Sequence, residues 1–105
     1  MDLGLDPKAD AQLRGLILTM VYINHRHQRH RLTSTVIRGT LEREGYRWGK
    51  ADVIAMIQDL RDRDYLRYQQ VRDADESIFI QSIEITAKGR DLVDRRFEDP
   101  AVMTQ

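Results

Sequence analysis

The sequence predicts an α+β fold, mostly helical, on three observations. Apolar residues recur at helical spacing along two stretches of the first half and again along Lys50 to Arg63. This third helix runs into Tyr65-Leu66-Arg67-Tyr68, which alternates as a strand does, and a polar turn separates it from a second alternating run that ends Ile83-Glu84-Ile85. Thr86 then stands where a helix cap belongs, before Ala87-Lys88-Gly89-Arg90. With 105 residues, 41% of them hydrophobic and 32% charged, the chain suits one domain with a single modest core, about 7 to 97, and no second domain.

Asp6-Pro7 opens the first helix, since proline is tolerated in a first turn, and Leu13, Leu16, Ile17, Met20 and Val21 share one face up to about Asn24. Leu18, Tyr22 and Ile23 carry apolar character round to the other side, so this helix needs a second covering layer. The last helix of the same chain or the first helix of a partner subunit would serve.

His25-Arg26-His27-Gln28-Arg29-His30-Arg31 follows. Its three histidines could converge on a zinc ion, but no acid or thiol joins them, and seven consecutive polar residues suit a solvated loop or short edge strand. The expected use of the tract is phosphate contact, through Arg29 and Arg31 and through imidazoles that gain charge below a pKa of about 6.5.

Thr33 or Ser34 caps a second helix that carries Val36, Ile37, Thr40 and Leu41 and stops at Gly45. Tyr46-Arg47-Trp48-Gly49 makes the turn, with Trp48 anchoring it against the core. On the third helix, a wheel at about 100° per residue turns Val53, Met56, Ile57 and Leu60 inward with Ile54 beside them. Ala51, Ala55, Gln58 and Asp62 face outward, flanked by Asp52 and Asp59, so three carboxylates are expected on that surface and no cation.

The hairpin pairs Tyr65 to Val71 with Ser77 to Ile85, where Phe79, Gln81, Ile83 and Ile85 alternate, and its tip, Arg72-Asp73-Ala74-Asp75-Glu76, is acidic and solvated. Leu92, Val93 and Phe97 form the stripe of the last helix, and residues 98 to 105 read as a frayed tail.

The formal charge of zero is unevenly spread. Residues 25 to 50 hold seven Lys and Arg against two acids, a balance of +5, which includes Arg38 on the second helix, while the first 24 residues balance at −1 and the last 55 at −4. An anionic partner is therefore expected at the middle of the chain. The chain has no cysteine, which removes thiolate catalysis and thiolate metal sites and suits a reducing cytoplasm. Its longest apolar run, Leu16 to Ile23, is too short for a bilayer, and Asp2 and Asp6 stand where a signal peptide carries cations, so neither a membrane nor export is expected. With no compact His/acid spacing, no nucleophile beside an oriented base and no phosphate-binding glycine loop, no catalytic role and no cofactor are expected.

The order helix, helix, helix, hairpin, helix is that of a winged helix-turn-helix: a three-helix core, a β-hairpin wing and a C-terminal helix. Leu60-Arg61-Asp62-Arg63-Asp64-Tyr65-Leu66, followed after the hairpin by Ile85-Thr86-Ala87-Lys88-Gly89-Arg90-Asp91-Leu92, resembles the wing and following helix of bacterial MarR- and PadR-type transcriptional regulators. The resemblance spans about residues 32 to 95. It implies a dimeric regulator, paired through its first and last helices, whose third helix docks on double-stranded DNA. It implies DNA contacts at Thr33, Ser34, Arg47, Trp48 and Lys50 and at the outward Ala51, Ala55 and Gln58. Gln58 suits adenine, with Arg47 and Lys50 at the helix entrance and Arg61 and Arg63 at its exit to hold phosphates. The acidic third helix and hairpin tip suit the alternative, a winged helix that binds another protein without touching DNA.

Overall fold

The computed structural model describes residues 7–27, 32–72, 75 and 77–104. Four helices, α1 (Pro7–His27), α2 (Ser34–Arg43), α3 (Lys50–Asp62) and α4 (Ala87–Val93), pack with a two-stranded antiparallel hairpin, β1 (Leu66–Arg72) and β2 (Ile78–Ile85), in a mostly helical α+β fold.

Helix α1 runs to His27 rather than Asn24, which corrects the loop or edge-strand reading of His25 to His27. Basic side chains in a last turn face the carbonyl end of the helix dipole, so nothing in His25-Arg26-His27 stops the helix. Gln28 to Arg31 lie outside the described residues, and with them the expected phosphate contacts at Arg29 and Arg31. Helix α2 is capped by Thr33, whose Oγ1 accepts from Val36 N at 3.2 Å. It ends where Gly45 turns left-handed (φ 94°) and Tyr46 N donates to Leu41 O at 2.8 Å. Ile37 and Leu41 are fully buried, whereas Val36 is 48% exposed. In α3 all five predicted core residues, Val53, Ile54, Met56, Ile57 and Leu60, are buried.

The strands begin one residue later than expected and differ in phase. Arg67 pairs with Glu84 and Gln69 with Gln81, so Tyr68 stands opposite two residues, Ser82 and Ile83. Ser82 takes φ 53° at this bulge. The extra residue switches the inward face, so Ile80 rather than Phe79 is buried on one side of it and Ile83 and Ile85 on the other. The free edge of β2 is partly covered, since Ile83 N donates to Leu32 O at 3.1 Å and Ile80 N to Ser34 Oγ at 3.3 Å.

Thr86 Oγ1 accepts from Gly89 N at 3.0 Å and donates to Asp64 O at 2.7 Å, which seats the start of α4 on the corner between α3 and β1. Helix α4 stops at Val93, because Arg95 turns left-handed (φ 61°) and Arg96 N bonds back to Asp91 O. Phe97 therefore lies outside the helix and does not extend its stripe. It stacks beside Tyr65, with ring centroids 6.4 Å apart.

The segment expected to fray folds back instead. Val102 is buried, Met103 N donates to Ala11 O at 3.0 Å, Arg14 Nη1 to Ala101 O at 3.1 Å and Thr104 Oγ1 to Leu92 O at 3.2 Å. The second layer over α1 is thus the chain's own α4 and tail, although Ile23 stays 54% exposed. Gly15 permits the approach, because a Cβ there would overlap the Met103 carbonyl. Tyr65 Oη donates to Asp99 Oδ2 at 2.5 Å. Burial and this bond raise the Tyr65 phenol well above its ordinary range. Burial pushes the Asp99 carboxyl up, but the Tyr65 and Ala101 hydrogen bonds and the Arg63 and Lys88 charges outweigh it and hold the pKa below the usual value.

Two measurements test the tucked tail. Gly15→Ala is expected to lower stability to urea by about 1–3 kcal/mol through overpacking. Gly39→Ala, whose Cβ would meet only Arg43 Nη1 at 3.8 Å, is expected to raise it by about 0.5–1 kcal/mol. A frayed tail would make both substitutions stabilising. Because the folded Asp99 pKa lies below its unfolded value of about 3.9, its contribution is present above that pH and is lost as pH falls through the folded value. Asp99→Asn is therefore expected to be less stable than the parent at pH 7, with a gap that starts to close only as pH falls below about 4; a gap independent of pH would refute the bond.

Candidate nucleic-acid interface

The turn between α2 and α3 brings three cations of the basic middle, Arg38, Arg47 and Lys50, to the start of α3. Arg38 Nε donates to Trp48 O at 3.3 Å and lies 3.7 Å from Glu42, so this guanidinium braces the turn. Trp48 is half-buried against the core, as an anchor would be, and with Arg38, Glu42, Arg47 and Gly49 it lines a shallow hollow. Arg47 and Lys50 are exposed and form no ion pair among the described residues.

The outward face of α3 carries Lys50, Ala51 and Asp62 in the open, with Asp52, Ala55 and Gln58 half-buried. Asp59 is not among them, which corrects the expected trio of carboxylates. Its Oδ2 lies 2.6 Å from Arg14 Nε of α1 and 2.9 Å from Arg63 Nε. The contact with Arg14 is close enough for strong attraction but lacks the alignment of an N–H···O bond. Arg63, by contrast, forms a true hydrogen bond, which raises the pKa of its guanidinium further. Arg63 is thereby spent on Asp59 rather than left at the helix exit. Asp52 sits in the first turn of α3, where the helix dipole favours an acid.

Of the two residues expected at the start of α2, Thr33 remains half-exposed, while Ser34 is buried at 4% and holds the β2 backbone. Ser34 cannot reach a ligand from there, and Thr35 takes the exposed place. The sequence held this signal: Ser34, Ile37 and Leu41 are spaced three and four apart and so share one helix face.

Two further groups escaped sequence reasoning because they depend on how β1 lies against α3. The Arg61 guanidinium sits 5.3 Å over the Tyr68 ring, and Gln58 Nε2 donates to Gln70 Oε1 at 3.0 Å. Of the hairpin tip, Asp73, Ala74 and Glu76 lie outside the described residues.

Among the described residues no three His, Asp or Glu side chains group as metal ligands, and no helix is long and apolar enough to cross a membrane. Among known proteins, no family model, no curated protein and no solved structure matches the chain.

Proposed function

We propose that the chain is a small winged-helix DNA-binding protein, a transcriptional regulator, whose α3 enters the major groove of duplex DNA. The observation that carries this reading is the removal of Asp59 from the outward face of α3 by Arg14 and Arg63. A duplex presents one negative charge per about 1.7 Å of axis, so a helix inserted there cannot face it with uncompensated carboxylates. With Asp59 paired, the face offers the small side chains Ala51 and Ala55 beside the carboxamide of Gln58, and the two acids that remain, Asp52 in the first turn and Asp62 in the last, stand at the ends where Arg47 and Lys50 on one side and Arg61 on the other supply positive charge. Small residues let the backbone approach the groove, cations hold phosphates, and the carboxamide reads a base edge. The docking of Leu32 and Ser34 on the edge of β2 supports the winged-helix assignment, since it ties the start of α2 to the hairpin. The proposal takes one chain as the binding unit, because α4 and the tail already cover α1.

Titration of the protein into labelled duplex at two salt concentrations tests the reading. Affinity is expected to fall steeply with salt, each neutralised phosphate contributing about −0.9 to the logarithmic slope. Arg47→Ala and Lys50→Ala are each expected to weaken binding to every sequence and to reduce the slope by about one. Gln58→Ala is expected to relax the preference selected from a pool of random duplexes. Absence of binding at low salt would overturn the proposal in favour of a protein-interaction module.

A further inference from the structure

Residues on α3 and β1 meet in two successive pairs, Gln58 with Gln70 and Arg61 with Tyr68. The hairpin register explains why. Gln70 is paired with Ile80, which is fully buried, so both side chains project from the sheet face turned towards the helices. Gln70 is nonetheless exposed, because it stands beyond the core edge, where the outward side of α3 comes alongside. Tyr68, two residues earlier on the same strand, reaches Arg61 one helical turn after Gln58.

The geometry points to Gln70 as a positioning residue that sets the base preference of the proposed groove-reading site, and this inference rests on that reading. A carboxamide on a flexible stem can turn over and exchange its acceptor for its donor, so an unrestrained Gln58 would not present a fixed pattern to a base. The hydrogen bond to Gln70 Oε1 couples the two amides, so Gln58 turns over only when Gln70 turns with it, and the orientation with Gln58 as donor is the one the hairpin holds. Gln58 then keeps its Oε1 acceptor and one N–H donor, the pair that matches the N6–H donor and N7 acceptor of adenine in the major groove. Gln70 acts as an acceptor and does so without charge, which matters on a surface that must come close to phosphate.

The test uses the full chain carrying Gln70→Leu, Gln70→Glu, Gln58→Ala or both Gln58→Ala and Gln70→Leu, with random double-stranded DNA as the probe. The preferred duplex is selected first. It then competes against the same duplex with each A·T pair replaced in turn by G·C. The parent is expected to prefer the selected adenine by about tenfold, in the range of one bidentate contact. Gln70→Leu is expected to lose most of that preference while its affinity for unselected DNA, its salt slope and its urea midpoint stay unchanged. Gln70→Glu retains the acceptor and adds charge, so it is expected to bind all duplexes more weakly yet keep the preference. The double variant should discriminate no worse than Gln58→Ala alone.

Full preference in Gln70→Leu, or its loss in Gln70→Glu, would overturn the role given to Gln70. Salt-dependent binding of the parent without any base preference would overturn it too, while leaving DNA binding intact. Failure of the parent to bind any duplex would remove both.

Discussion

One carboxylate, that of Asp59, sets how α3 is held and what it presents. It sits between Arg14 and Arg63, and Arg14 also donates to Ala101 O, so a single guanidinium joins α1, α3 and the C-terminal tail. The Arg14 side chain is 8% exposed and that of Asp59 25%, so the pair meets in a poorly screened environment. Such a pair adds little net stability compared with apolar residues of the same shape, but removal of Asp59 leaves the nearly buried Arg14 guanidinium without its counter-charge, whereas removal of Arg14 leaves Asp59 still paired with Arg63. The interaction therefore acts as a constraint on arrangement. α3 cannot rotate about its axis without breaking it, and the tail cannot leave without exposing a hydrogen-bonding guanidinium.

The proposed function follows from that constraint. Rotation of Asp59 outward would restore an acid to the surface that must approach phosphate. Held inward, it leaves the middle of the face to small residues, with Asp52 and Asp62 beside the cations at its two ends, and the carboxamide of Gln58 bonds to Gln70 of the hairpin. The same arrangement couples distant parts of the chain, since the tail that packs along α1 reaches α3 through Arg14 and reaches the start of β1 through Tyr65 and Asp99.

Much of this architecture could be read from local chemistry. Thr33 and Thr86 cap helices as their hydroxyls suggest, Gly45 ends α2 in the left-handed region that glycine favours, and the aliphatic arc of α3 is inward throughout. The other two left-handed stops are Asp64 and Arg95; aspartate visits that region more readily than most residues, but arginine gives no sign of it. Without the stop at Arg95, the pattern suggested that Phe97 continued α4. Ser82 likewise gives no warning of the bulge that shifts the inward face of β2. The tail looked polar because its anchors are backbone groups, the side chains of Asp99 and Thr104 and one valine, and what makes room for it is Gly15, far away in the chain. The site was legible in part: the cations of the turn and the outward alanines emerge from helical spacing, and the burial of Ser34 could have. The inward turn of Asp59 and the pairing of Gln58 with Gln70 could not, because each depends on how two elements cross.

The most direct test of the central constraint is a double-mutant cycle on Arg14→Met and Asp59→Asn, read by urea unfolding. Each single variant is expected to lose stability, and the pair to lose less than the sum, with a coupling of about 1–3 kcal/mol. Losses that add to within about 0.3 kcal/mol would mean that the two side chains do not interact in the folded protein, and would contradict the account of how α3 is held.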